Sequence, residues 1–433
     1  MRLKTIRTIF VCSLLCAAPL LRAQQPQSAP AGGVKVYTWD QLRERFHNAN
    51  PTLQAGQLNI DESRAAEITA FLRPNPDVSL STDGTQLTPS QGTWRPFAGT
   101  QFVPAITYLH ERANKRELRL DSAVKATSIA RSQQDDLERN LLFTLRGAFV
   151  QTLQAKAVLA LVKDNLTYYD KVLSISRDRF GAGDIAQIDL DRLELQRIQY
   201  ESDIQMALVN LRTAKIQLQQ LLSDKTPVDQ FDVTGPFEFA DPGRSLEEFR
   251  RIALDARPDL RAALQAVDKA KTDHQLAVAN GSTGPTFSGW ISHNPSFNNP
   301  FDNNTIGASV SIPLRIFDRN QGEKERTEID IRRNQRLQEA ATLQVFNDVD
   351  SAFATLTSNL VLLRAYKDRY LDRAARVRET VAFAYQRGGA TLLDFLSAQN
   401  DYRSVQLNYV NLIGSWLGAA SQLNLAVGRE VIQ

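Results

Sequence analysis

The sequence predicts a mainly α protein with transmembrane β-strands: long coiled-coil helices interrupted by two β-hairpins, built as an internal tandem repeat. Three observations predict it. None of the 17 prolines falls in 105–226 or 314–433, two stretches of roughly 120 residues rich in Leu, Ala, Gln, Arg, Glu and Asp. Proline is excluded from helix interiors, so each stretch reads as very long helices. Two shorter segments, 74–108 and 283–314, instead collect Pro, Gly, Asn, Ser and Thr around alternating runs such as Val78-Ser79-Leu80-Ser81. Finally, the two halves share landmarks in the same order. Asn50-Pro51 through Ala55 matches Arg257-Pro258 through Ala262 at an offset of 207, and Phe180, Gly183, Asp189 and Leu190 match Tyr385, Gly388, Asp394 and Phe395 at 205.

Arg2, Lys4 and Arg7 precede an apolar run from Ile9 to Leu21 that ends at Ala23. This is the pattern of a secretory signal peptide, expected over 1–23, and the run is too short to span a bilayer comfortably. Lipidation at Cys12 or Cys16 is the competing reading, but Val11 and Leu15 are not the small residues expected before a lipidated cysteine. Both cysteines would leave with the peptide, so the mature chain would have no disulfide, thiolate ligand or cysteine nucleophile. Four basic residues would leave too, taking the 51 Lys and Arg to 47 against 48 Asp and Glu. A near-neutral mature chain gives no sign of a nucleic-acid partner.

Residues 24–36 are expected to be disordered or extended, and 37–226 to form the first repeat. That repeat has a helix of about 30 residues, a hairpin at about 76–108, a long helix at about 111–179, a tip at 180–184 and a helix at 185–222. A linker follows at 227–244. The second repeat, 245–433, has a helix at 245–280, a hairpin at about 285–316, a long helix at 318–386, a tip at 387–391 and a helix at 392–426. Each hairpin has an opening run after a proline (Pro76, Pro285) and a returning run ending at another (Pro104, Pro313). Strands of about ten residues suit a tilted membrane crossing. A continuous 69-residue helix, the length of 111–179 and of 318–386, would extend about 100 Å, beyond any compact domain. Four strands cannot close a barrel, and lipid tolerates no open edge, so the strands must close with other copies. Two copies would leave little or no lumen; three give twelve strands and an open pore.

Taken together, the repeat, the Arg257-Pro258-Asp259-Leu260-Arg261-Ala262-Ala263 stretch, the strand-to-helix joint from Ile312 to Gly322 and the two glycine tips resemble the TolC-like outer-membrane efflux protein family. The resemblance covers nearly the whole mature chain. It implies a homotrimer with a twelve-stranded β-barrel in outer-membrane lipid and a twelve-helix α-barrel in the periplasm. It also implies a periplasmic adaptor and an inner-membrane pump, of RND type, as partners, with 227–244 in a belt around the α-barrel.

The candidate site residues are at the tips and joints. Gly181, Gly183, Gly388 and Gly389 end helices with a tight or left-handed backbone, and with Asp184 and Thr391 they form the surface expected to accept an adaptor. Thr391-x-x-Asp394 reads as a capping box, and Asp184 as the matching N-cap at the first tip. The family implies a second role for Asp394, a carboxylate ring at the periplasmic constriction that attracts cations and responds to pH. Where relatives carry an arginine and a second aspartate, this sequence has Ala390 and Ser397. Tyr385 and Asp189 match positions that bond across neighbouring coils. Pro104, Arg112, Pro313 and Arg319 mark the strand-to-helix joints, beside a basic cluster of Lys115, Arg116, Arg119 and Arg315, which reads as a solvated helix start or a positive zone in the lumen.

No HExxH, GxSxG or P-loop occurs, so neither an enzyme nor a resident cofactor or metal is expected. The function expected is a passive exit duct for a tripartite efflux pump, gated at the tips. Asp318-Arg319-Asn320-Gln321-Gly322 resembles the joint of members paired with cobalt–zinc–cadmium exporters, which favours metal cations over drugs or a secreted protein as cargo. A non-conducting coiled-coil envelope spacer is the alternative from another class.

Overall fold

The computed structural model describes residues 33–89, 91–97, 99–294 and 304–432. The expected signal peptide lies outside the described residues, as do 24–32 and the tip of the second hairpin.

Chain order is β1 (Lys35–Tyr37), α1 (Trp39–Ala49), α2 (Pro51–Phe71), β2 (Asp77–Asp83), β3 (Gln101–Leu109), α3 (Lys115–Gly181) and α4 (Gln187–Leu221). There follow β4 (Phe231–Val233), α5 (Leu246–Ala256), α6 (Pro258–Asn280), β5 (Thr286–His293), β6 (Asn304–Ser311), α7 (Gln321–Ala365), α8 (Leu371–Gln386) and α9 (Leu392–Val427). The 67 residues of α3 extend about 100 Å. A five-residue π-helical turn, Tyr366–Tyr370, joins α7 to α8.

Several boundaries differ from the sequence reading, each for a local reason. The helix expected over 245–280 is two helices, because Pro258 opens α6 and forces Arg257 into an extended conformation. Pro51 does the same between α1 and α2, where the Asn50 side chain accepts the N–H groups of Thr52 (2.9 Å) and Leu53 (3.1 Å). Both long helices start later than expected, since Ala113, Asn114 and Asn320 have positive φ and break the helical path. Residues 35 and 36, expected to be disordered or extended, join Tyr37 in a strand that pairs in parallel with 231–233 as a short ribbon. Pro104 is not at a joint: it lies mid-strand in β3, opposite Leu80. The β3–β5 ladder skips Val103 and Pro104, where the proline has no N–H to donate.

The four longer strands form one antiparallel sheet in the order β2-β3-β5-β6. The register sorts side chains by chemistry. Val78, Leu80, Phe102, Pro104, Ile106, Tyr108, Phe287, Ile291, Ile306 and Val310 fall on one face, with Thr82, His293 and Asn304 at its end; Ser79, Ser81, Thr107, Ser288, Ser292, Thr305 and Ser309 fall on the other, with Val103, Ala105 and Leu109 among them. The apolar face is open: Val78 is 81% exposed and Ile306 86%. Trp290, the large residue on the polar face, lies over Gly307, where any Cβ would strike the indole. Among the described residues β2 and β6 each have one hydrogen-bonded neighbour, so both outer edges are unpaired there.

Below the sheet the helices run as antiparallel pairs, α3 with α4 and α7–α8 with α9. The largest apolar cluster gathers Phe249, Val345, Val349, Leu356, Trp416 and Leu423 from α5, α7 and α9. A second joins Leu42, Phe46, Leu145, Phe149, Leu218 and Phe231 from α1, α3, α4 and β4. A third lies at the far end of the helices. On α4, Ile188, Leu195, Val209 and Ile216 recur at multiples of seven residues and are all at least half exposed. That is a coiled-coil seam with no partner among the described residues.

Candidate functional site

The two tips are built alike. At the first, Gly183 (φ +85°) donates to the Phe180 carbonyl at 2.9 Å, and Asp184 N–H reaches the Arg179 carbonyl at 2.9 Å. At the second, Gly388 (φ +76°) donates to Tyr385 O at 3.1 Å and Gly389 to Ala384 O at 2.8 Å. Each is a Schellman stop with its glycine in the left-handed position. No atom lies within 4 Å of a Cβ built on Gly181, Gly183 or Gly388, so the glycine faces are open.

The helix restarts differ. Thr391 caps α9 as expected: its Oγ1 accepts from Asp394 N–H at 3.2 Å, and the Asp394 carboxylate accepts from Thr391 N–H at 3.1 Å and its hydroxyl at 2.7 Å. Those hydrogen bonds, the hydroxyl's first, hold the Asp394 carboxyl below its ordinary range. Asp394 and Ser397 are both exposed. Asp184, by contrast, does not cap α4. The N-cap is Ala186, which has no side-chain oxygen, and Asp189 N–H bonds to the Ala186 carbonyl at 3.1 Å. Ala186 stands where the second tip has Thr391, so the Asp189 carboxylate, counterpart of Asp394, takes no capping role. It faces Arg192 at 3.9 Å.

Behind the tips, Tyr169, Leu173, Leu193, Tyr200, Tyr385, Leu392 and Phe395 form the third apolar cluster. Tyr385 stacks on Phe395 at 5.1 Å and Tyr169 on Tyr200 at 4.6 Å. The Tyr385 hydroxyl is buried with no well-formed hydrogen bond. Burial pushes its pKa up; Ser176 and Arg179 oppose the shift and Asp189 adds to it. Tyr385 and Asp189 do not bond to each other.

Other residues, not singled out from the sequence, make the direct connections. Arg179 of α3 donates to the Tyr385 carbonyl at 2.9 Å. Arg403 of α9 pairs with Asp203 of α4 at 2.6 Å, both side chains about four-fifths buried, with Tyr200 5.3 Å from the guanidinium. Arg378 of α8 is clamped between the rings of Tyr168 (4.3 Å) and Tyr402 (3.9 Å). The only sequence signal for these is a charged or tyrosyl residue at a position whose helical neighbours are apolar.

At the opposite end the basic cluster ties the strand-to-helix joint together. Arg119 bonds both oxygens of Glu111 (2.5 and 2.8 Å) and the carbonyls of Ala70 (3.3 Å) and Leu72 (3.2 Å), linking α2 to α3. Lys115 donates to Ser282 O at 2.9 Å, and Arg116 covers the Phe71 ring at 4.4 Å. The side chains of Arg112, Arg315 and Arg319 have no hydrogen-bond or ion-pair partner among the described residues. Pro313 follows the last residue of β6 by two positions, and Asn320, not Arg319, anchors that joint, through its amide to the Ala277 carbonyl at 2.7 Å. Among the described residues no group of three His, Cys, Asp or Glu side chains could hold a metal, and no helix is long and apolar enough to cross a membrane.

The model of the outer membrane efflux protein family matches residues 250–429. Over that stretch the chain is similar to that family. It is 21% identical over 394 residues to the cobalt-zinc-cadmium resistance protein CzcC of Cupriavidus metallidurans, covering 88% of this chain and 87% of that one. It is 22% identical over 317 residues to the outer membrane protein TolC of Vibrio cholerae, covering 71% and 72%. Its fold superimposes on the solved structure of the channel CusC with a TM-score of 0.76 at 18% identity, covering 93% of this chain and 96% of that one.

Proposed function

We propose that this chain is the passive outer-membrane exit duct of a tripartite efflux system, working as a homotrimer. The observation that carries the proposal is the sheet, with an apolar face, a polar face and two unpaired edges. Lipid tolerates no open edge, so four strands need others to close, and three copies give a twelve-stranded barrel with a polar lumen. The unpartnered seam on α4 supports the same assembly, since a second copy would cover Ile188, Leu195, Val209 and Ile216. The matched element order of 37–226 and 245–433 fits a duplicated half, and the ribbon of β1 and β4, pairing 35–37 with 231–233, supports reading 227–244 as an equatorial belt.

The helix tips form the periplasmic entrance in this reading. The open faces of Gly181, Gly183 and Gly388, with Asp184, Gly389 and Thr391 beside them, accept the helical hairpin of an adaptor, and the exposed apolar Phe383 and Leu393 give it something to grip. The inner-membrane pump supplies the energy, so this chain needs no nucleotide site. Asp394 has two roles: its carboxylate closes the capping box, and three copies make one ring of negative charge at the mouth. Ser397 leaves that ring single. The cargo proposed is heavy-metal cations, from the likeness to CzcC, a cobalt-zinc-cadmium resistance protein.

The test is to reconstitute the detergent-extracted protein in planar bilayers. Cation-selective conductance from a trimer, and increased sensitivity of a deletion strain to cobalt, zinc or cadmium, are expected. An elongated protein that releases without detergent and carries no current would sink the duct. Unchanged metal sensitivity with conductance intact would remove only the cargo assignment.

A further inference from the structure

Away from the tips and the sheet, a cleft of about 370 Å³ opens between α1, the middle of α3 and the end of α9. Its wall is built around Arg146. The guanidinium lies 4.5 Å from the Trp39 ring and 5.6 Å from that of Phe149, which is buried. Trp39 is itself fixed: its indole N–H donates to Glu430 at 3.0 Å, and Arg43 holds the other oxygen of Glu430 at 3.2 Å. Of the other arginines of the wall, Arg139 is held by Asp136 and the Leu425 carbonyl and Arg261 by Asp135, while Arg429, like Arg146, makes no hydrogen bond or ion pair among the described residues. Arg146 makes no hydrogen bond and no ion pair among the described residues; burial disfavours its charge, and the Glu430 and Asp40 carboxylates oppose that shift without bonding to it.

A guanidinium carries five N–H donors, and two rings can cover only its faces. Leaving those edges unmatched in a partly dry cleft is costly. The group that matches a planar guanidinium edge is a carboxylate, held by two parallel hydrogen bonds. The cleft is larger than a carboxylate alone, and Leu142, Phe143 and Trp39 give it an apolar lining. We propose that this cleft binds a carboxylate presented by an acidic peptide segment of a partner protein, with Arg146 as its anchor. The site lies roughly 50 Å or more along α3 from the tips, at 1.5 Å per residue, so it is separate from adaptor docking and does not depend on the duct reading.

The probe is a fluorescein-labelled peptide of alternating Leu, Glu, Ala and Asp, with a Gln/Asn counterpart as control, titrated into the full chain in detergent. Saturable, salt-sensitive binding of the acidic peptide alone is expected. Arg146→Gln should weaken it at least tenfold, while Arg146→Lys, which keeps the charge but loses the planar fork, should fall between. Circular dichroism and melting of both variants report folding. Equal binding by wild type and R146Q, or equal binding of both peptides, would overturn the proposal. So would a failure to bind accompanied by loss of the oligomer in R146Q, which would give the cleft to a second copy of this chain.

Discussion

The pair Arg403–Asp203 offers a direct test of what holds the two helix pairs together. It lies about 20 Å above the tips, 14 residues past Asp189 on α4 at 1.5 Å per residue. Its N···O distance is 2.6 Å, with the side chains 21% and 23% exposed. Opposite charges about 4 Å apart interact by about 4 kcal/mol at an effective dielectric constant of 20. The remaining exposure and salt screening reduce this, so a coupling of about 2 kcal/mol is expected. Asp203→Asn keeps the shape and removes the charge. Arg403→Gln completes a double-mutant cycle, read by chemical denaturation of the helical signal. If widening the entrance separates α9 from α4, the same 2 kcal/mol shifts the open population about 30-fold, because 1.4 kcal/mol is tenfold. Single-channel recording should then show D203N open far more often than wild type. Full coupling with unchanged open probability would refute the claim that opening parts these helices. Coupling below about 0.3 kcal/mol would refute the energetic claim itself.

Other predictions follow from the tips and the sheet. Phe395 is fully buried and stacked on Tyr385, so Phe395→Ala should cost about 3–5 kcal/mol locally and make 380–400 the first site of limited proteolysis. Asp394 has a folded-state pKa below its ordinary 3.8, so its contribution is complete above pH 3.8 and is lost as pH falls through the lower folded value. Hydrogen exchange, corrected for its intrinsic pH dependence, should show the first turn of α9 fraying only under acid, and Thr391→Ala should abolish that transition. On the sheet, Ile106→Lys places a charge on the apolar face and should weaken insertion into lipid by about 2–4 kcal/mol, whereas Thr107→Lys on the opposite face should insert normally and alter conductance. Equal insertion of the two would mean that the faces are assigned the wrong way round.

Much of this architecture follows from local rules. Proline-free stretches and threefold-fourfold apolar spacing marked α3, α4, α7, α8 and α9, because proline removes a donor and clashes with the preceding turn wherever a helix continues. The left-handed glycines at 183 and 388 were legible because only a residue without Cβ adopts that conformation freely. Thr391-x-x-Asp394 carried its capping box openly. Local rules also misled where two residues could do one job: Asp184 is a good cap by type, yet the chain begins α4 two residues later and caps it with Ala186. Pro104 looked like the end of a strand, but its missing N–H falls where β3 can skip one stretch of its ladder with β5.

By itself the sequence marked the long helical stretches, the two glycine tips and the two alternating segments, since each depends on neighbours within one turn or one pleat; the breaks at Pro51, Pro258 and Tyr366–Tyr370 it did not mark. Only the tertiary structure decided which distant groups meet. Asp203 and Arg403 are 200 positions apart, and nothing near either one specifies the other. Arg146 reads from its surroundings as one more helix-surface charge until α1 brings Trp39 over it. Such contacts depend on how helices of about 100 Å pack along their length, where the register between two helices, and not the spacing within either, selects the partner.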